Sequence, residues 1–205
     1  MHSPLPDDRT ARARIRDEAI RLFAERGADA VTVRDIAAAA DVSPALILRH
    51  YGSKDGLRTA VDEHVARVFE AMLDQVVADQ SAATDSELSG LAEAVATHLP
   101  VDSPIPAYLG RILLTGGPVG SPLFARLHEV SRNALDRMTD AGTAVPGDDP
   151  DVRAAYLLVA DLAVLILRDR LHEVLGVDPL SARGMQRWGN EVLAIHRNGL
   201  NGGRS

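Results

Sequence analysis

A chain of 205 residues, 46% hydrophobic and 25% charged, has the balance of an ordinary globular protein, long enough for one large domain or a small one fused to a larger. It contains no cysteine, which excludes disulfides, thiolate metal sites and cysteine nucleophiles and fits a reducing cytoplasm. A net charge of −7 argues at first sight against a nucleic-acid partner. The charge is unevenly divided, however: residues 1–60 hold ten Lys/Arg against nine Asp/Glu, and residues 61–205 hold twelve against twenty. That asymmetry allows DNA contact at one end and disfavours it elsewhere.

Residues 1–8 are polar, carry two prolines and have no apolar run, so they read as an unstructured tail rather than a signal peptide. Ile15, Ala19, Leu22, Phe23 and Arg26 follow the spacing of an amphipathic helix, with Gly27 placed to cap its end. Thr32 precedes a short helix anchored by Ile36 and Ala37, and Asp35 can complete a capping box. Ser43 and Pro44 open a third helix, which ends near Tyr51 and Gly52.

Ser53 caps a long helix through Leu57, Val61, Val65, Val68, Met72 and Val76 to about Gln80. Five more helical segments are predicted at Asp85–Leu99, Ala107–Thr115, Pro122–Ala141, Asp151–Leu175 and Leu180–Arg197. Strand-period alternation is absent, so the fold class is all-α with about nine helices. The most apolar stretch, Ala154 to Leu167, is broken by Asp161 and is shorter than the roughly 20 residues needed to span a bilayer. The expected location is the cytoplasm.

The segment from Thr32 to Lys54, TVRDIAAAADVSPALILRHYGSK, meets the demands of a helix-turn-helix. Ala37 is the small residue where two helices cross closely. Asp41, Val42 and Ser43 form the turn, and aspartate tolerates the left-handed backbone that such a turn uses. Val42 and Ile47 lock the crossing, leaving the outer face of Pro44 to Tyr51 to meet a major groove.

This segment resembles the DNA-binding domain of the TetR family of bacterial regulators. Thr32, Ile36, Ala37, Ala40, Val42, Ser43, His50, Ser53, Lys54 and Leu57 match the family pattern, with Ile47 and Tyr51 as near equivalents. The likeness in sequence covers residues 10–60; the remainder matches by length and helix count. It departs at Asp41, where the family has Gly, at Ala45, and at Leu48, which replaces a phosphate-touching Tyr. Leu48 leaves only an apolar contact there, and Arg49 is placed to take over the phosphate.

The resemblance implies a three-helix head at 9–56 on a six-helix effector-binding and dimerisation body at 57–200, with a second tail at 201–205. It assigns phosphate contact to Lys54 and His50, helped by Thr32 and Tyr51. Arg34 is the candidate reader of a guanine edge. Ser43 opens the recognition helix, and Pro44, Ala45 and Leu46 offer few hydrogen bonds, so shape and methyl contacts dominate there. Arg9, Arg12, Arg14 and Arg16 form either an arm toward flanking phosphates or a solvated basic face.

In the family the last two helices form the dimer interface, here Asp151–Leu175 and Leu180–Arg197. Tyr156 to Leu167 is apolar nearly all round, which one core face cannot absorb. Trp188, Val192 and Ile195 are further interface candidates. The family places a pocket inside the body. Its candidate lining residues are Met72, Val76, Val95, His98, Leu99, Tyr108, Ile112, Phe124, Leu127, His128, Leu158 and Asp161. With aromatics at 3%, a largely aliphatic effector is expected. Asp161 must be paired, protonated or wet; Arg111, an effector amine or the dimer seam are its alternatives.

The seven histidines show no metal or catalytic spacing, and no Gly-rich phosphate loop appears, so neither an enzyme nor a cofactor or metal is expected. The reading is a dimeric repressor of a palindromic operator, released by a small effector. A helical protein-interaction module and an effector-independent DNA-binding regulator remain as alternatives.

Overall fold

The computed structural model describes residues 6–81, 94–100, 102–115 and 120–198. All regular structure among them is helical. Nine helices run in chain order: α1 (Pro6–Arg26), α2 (Val33–Ala39), α3 (Pro44–Tyr51), α4 (Lys54–Ser81), α5 (Ile105–Leu114), α6 (Ser121–Asp140), α7 (Pro150–Ile166), α8 (Arg168–Leu175) and α9 (Ala182–Asn198). A further helical turn covers 94–98. The first part of the helix expected at Asp85–Leu99 lies outside the described residues, as do 1–5 and 201–205 of the expected tails.

The chain divides into two compact units. One comprises residues 1–67 and 103–126, the other residues 68–102 and 127–205. In the first, α1 buries Ile15, Ala19, Leu22 and Phe23 on one face and starts at Pro6, well before its apolar period becomes visible. Gly27 ends it with φ +84°, its amide donating to the Phe23 carbonyl at 3.0 Å. Helix α5 packs against α1, and its Arg111 acts as a second cap. The guanidinium donates from Nε to the Ala24 carbonyl at 2.8 Å and from Nη2 to the Glu25 carbonyl at 2.9 Å. Those are last-turn carbonyls that the helix itself leaves without partners. Also from α5, the buried Tyr108 hydroxyl donates to Asp62 Oδ1 at 2.6 Å. Burial pushes the Asp62 carboxyl up from its ordinary value.

The second unit has an aliphatic core of Met72, Val95, Leu99, Leu127, Val130, Leu135, Leu158, Leu162 and Leu165. The buried Ser131 hydroxyl donates to the Ala154 carbonyl at 3.2 Å, tying α6 to α7. The single helix expected over Asp151–Leu175 is two helices. Leu167 (φ −98°, ψ 15°) interrupts it with neither Pro nor Gly present, so the apolar period gave no sign of the break. Arg168, the first residue of α8, makes a two-pronged pair with Asp178, at 2.9 Å from Nε and 2.5 Å from Nη2.

The Arg168 guanidinium holds the Asp178 carboxyl below the usual carboxylate range. A lowered value means that the pair stabilises the fold above about pH 4 and loses that contribution as the pH falls through the lowered value. Asp178→Asn is therefore expected to lower stability by about 0.5–1 kcal/mol at pH 7. Thermal unfolding at pH 7 and at pH 3 checks this; the deficit should shrink at the lower pH.

Candidate nucleic-acid interface

Helix α2 begins with a complete capping box. The Asp35 amide donates to Thr32 Oγ1 at 3.2 Å, and the Thr32 amide donates to Asp35 Oδ2 at 2.8 Å. The Thr32 hydroxyl and amide hold the Asp35 carboxyl below its ordinary value. The helix ends on Asp41, whose φ of +51° is the only positive value at a non-glycine among the described residues. Its amide reaches the Ala38 carbonyl at 3.4 Å, and the Val42 amide reaches the Ala37 carbonyl at 2.9 Å. This nested pair is the Schellman ending of a helix, built here on aspartate instead of glycine.

Ser43 follows at once as the next N-cap. Its Oγ accepts from the Leu46 amide at 3.2 Å, and Pro44 takes the first helical position. Ile36, Ala37 and Ile47 are buried where α2 and α3 meet. Burying Ile47 leaves Pro44, Ala45, Leu48 and Arg49 exposed on the opposite side of α3, with Leu46, His50 and Tyr51 half-buried. Arg34, on the first turn of α2, is exposed and has no side-chain partner among the described residues.

Two of the expected phosphate ligands have work inside the protein. Lys54 Nζ donates to the carbonyls of Ala28 at 2.8 Å and Val31 at 2.9 Å, closing the loop between α1 and α2. One of its three N–H groups is left for another partner. The Tyr51 hydroxyl donates to the Arg12 carbonyl at 2.7 Å, and the Arg12 guanidinium lies 5.2 Å from the Tyr51 ring centre. Arg12 thus braces α3 against α1, and Arg16 pairs with Asp17 at 2.6 Å. Composition did not reveal the role of Gly56: a Cβ there would stand 2.1 Å from the Tyr51 carbonyl oxygen, so α4 can start this close to α3 only with glycine.

The candidate pocket residues fall in both units. Tyr108, Ile112 and Phe124 belong to the first, and the other nine to the second. Met72, Val95, Leu99, Leu127 and Leu158 are buried, and Val76 is half-buried. His98 Nε2 lies 3.2 Å from Gln75 Oε1, and His128 Nε2 lies 3.1 Å from the Asp151 carbonyl. Asp161 is exposed, and no partner for its side chain is present among the described residues. Desolvation among its apolar neighbours pushes its carboxyl up to about 6. Because solvent reaches the residue, water screens part of that rise in a lone protomer. Arg111, once a candidate partner for it, is engaged with the end of α1.

Two short helices joined by a tight turn, with the second presenting an uncovered face, define a helix-turn-helix protein. Residues 15–61 match the family model for bacterial regulatory proteins of the tetR family, and residues 102–199 match that for the tetracyclin repressor-like C-terminal domain. The chain is 35% identical over 166 residues to the HTH-type transcriptional regulatory protein RaaS of Mycobacterium tuberculosis, covering 81% of this chain and 74% of that protein. It is 29% identical over 187 residues to the HTH-type transcriptional repressor Rv3405c of the same organism, covering 89% and 86%. Among solved structures, SmeT is similar with a TM-score of 0.57 and 23% identity, over 88% of this chain and 87% of that one. SmeT is the repressor of the Stenotrophomonas maltophilia multidrug efflux pump SmeDEF, and it has also been solved in complex with triclosan. The chain belongs to the TetR family and is a helix-turn-helix transcriptional regulator.

Removing the Lys54 ammonium leaves two carbonyls of the α1–α2 loop without their donor, at about 1–3 kcal/mol. Lys54→Ala is therefore expected to lower the melting temperature, whereas Arg34→Ala, on an exposed side chain with no partner among the described residues, should leave it unchanged. Circular-dichroism melts of the two variants check the contrast.

Proposed function

We propose that this regulator is a repressor that binds a palindromic operator as a homodimer in the cytoplasm and is released by a small, largely apolar effector. The observation that carries the reading is the exposed outer face of α3, held out by the caps at Ser43 and Thr32 and the turn at Asp41. Arg34 reads a guanine edge beside it. The third N–H of Lys54, with His50 and Arg49, meets phosphates.

One recognition helix reaches few base pairs, so affinity requires two heads in successive major grooves. Support for a second copy comes from α7, where Val152, Tyr156 and Val159 are exposed at helical spacing, and from Trp188 and Ile195 on α9. Exposed apolar residues in this number favour burial against a second copy of the chain. No catalytic role is assigned to any side chain, in keeping with relatives that are transcription regulators.

The effector reading draws support from the triclosan complex of SmeT and from the aliphatic core of the second unit. Helix α5 carries Tyr108 and Ile112 on the same element as Arg111, whose guanidinium grips the end of α1. A ligand that shifts α5 pulls directly on the first helix of the reading head. By linkage, its differential affinity for the two head arrangements sets how far DNA binding weakens.

Fluorescence anisotropy against DNA upstream of the protein's own gene, or against duplexes selected from a random pool, tests the DNA reading. Saturable binding that weakens with salt is expected, and Arg34→Ala should weaken it by about tenfold or more. No saturable duplex in either set would refute it. For the dimer, Tyr156→Asp combined with Val159→Asp should yield monomers in sedimentation equilibrium and reduce operator affinity. A variant that sediments like the parent protein places the interface elsewhere.

A further inference from the structure

The exposed positions of α3 are 44, 45, 48 and 49, a spacing that gathers them on one stripe of the helix. Three of the four are Pro44, Ala45 and Leu48. The helix reads PALILRHY and holds no Asn, Gln, Asp or Glu, the side chains that pair with adenine or cytosine edges. The oxygen of Ser43, just before it, is engaged as the cap. Leu48 sits in the middle of the stripe with 47% of its surface exposed, so its side chain is open to whatever the stripe meets.

Within a major groove the apolar group on a base edge is the C5-methyl of thymine. Cytosine at the same step presents a bare C5 and an amino group that this stripe cannot satisfy, so its N–H would lose water and gain no acceptor. We infer that Leu48 is a specificity-determining residue that reads the 5-methyl of a thymine in each operator half-site, with Pro44 and Ala45 completing the apolar contact. The inference rests on the DNA-binding reading above. The exposed Arg34 at the start of α2 and the remaining N–H of Lys54 at the start of α4 are the cations that would seat the helix in the groove.

The test uses the full-length protein and a duplex that it recovers from a random pool. That duplex is resynthesised with each thymine replaced singly by deoxyuridine, which deletes the methyl and nothing else. One position per half-site should lose about fourfold in affinity, the worth of burying one methyl. The dependence on salt should stay the same, because the methyl carries no charge. Leu48→Ala should bind the thymine and deoxyuridine duplexes alike, while its melting temperature stays unchanged because the side chain lies outside the core. A Leu48 that acted only through the shape of α3 would weaken both duplexes equally and leave the fourfold difference standing. That result, or the lack of any thymine whose methyl matters, overturns the assignment while DNA binding itself persists. Recovery of no duplex at all overturns both the inference and the function beneath it.

Discussion

The left-handed backbone at Asp41 is the constraint from which the reading head follows. A helix that must end and hand over to another within four residues has to reverse its chain quickly. The nested amide bonds from Asp41 to Ala38 and from Val42 to Ala37 achieve that reversal. They bring Ser43 to the point where it caps α3, and they set the approach that buries Ile47 against Ile36 and Ala37. Placing an L-residue at φ +51° carries some strain, less for aspartate than for most side chains. The packing beneath the turn must offset it.

Around that turn, interactions from distant parts of the chain tie α1, α2 and α3 together. Tyr51 reaches the Arg12 carbonyl, Lys54 gathers the carbonyls of Ala28 and Val31, and Arg111 closes the end of α1. Lys54 and Arg111 satisfy main-chain oxygens that no helix would satisfy, and Tyr51 adds a further donor to a carbonyl within α1. Such contacts fix geometry closely because a hydrogen bond holds its partners within a narrow range of distance and prefers a nearly straight line through the hydrogen. A head that must present one stripe of α3 to a groove gains from rigidity of this kind, since misplacement by an ångström disrupts base contacts.

Much of the fold was legible because its signals are local. The caps at Thr32 and Ser43, the ending at Gly27 and the aspartate turn each involve residues within about four positions of one another, and spacing alone reveals them. The TetR-like pattern added the identity of the head. What escaped were contacts across long stretches of chain. Arg111 meets Ala24 from 87 residues away, and nothing in its neighbourhood on α5 marks it as a cap. Lys54 was read as a phosphate ligand from the family pattern, which does not reveal that two of its donors face inward. The break at Leu167 has no Pro or Gly, so it lay hidden in a continuous apolar run. Asp161 stands out as an acid among aliphatics, but spacing along the helix tells neither that it is exposed nor that Arg111 grips the end of α1.

The reach of Arg111 has a practical corollary for anyone cutting the gene. The compact unit that holds the reading helices includes residues 103–126 as well as the first 67, so it is discontinuous along the chain. A fragment stopped after the start of α4 would contain the whole helix-turn-helix. It would nevertheless lack the guanidinium that covers Ala24 and Glu25, the hydroxyl that covers Asp62, and the α5 surface against which α1 packs. Excising the stretch that the motif outlines would therefore expose the apolar flank of α1 and two bare carbonyls to solvent.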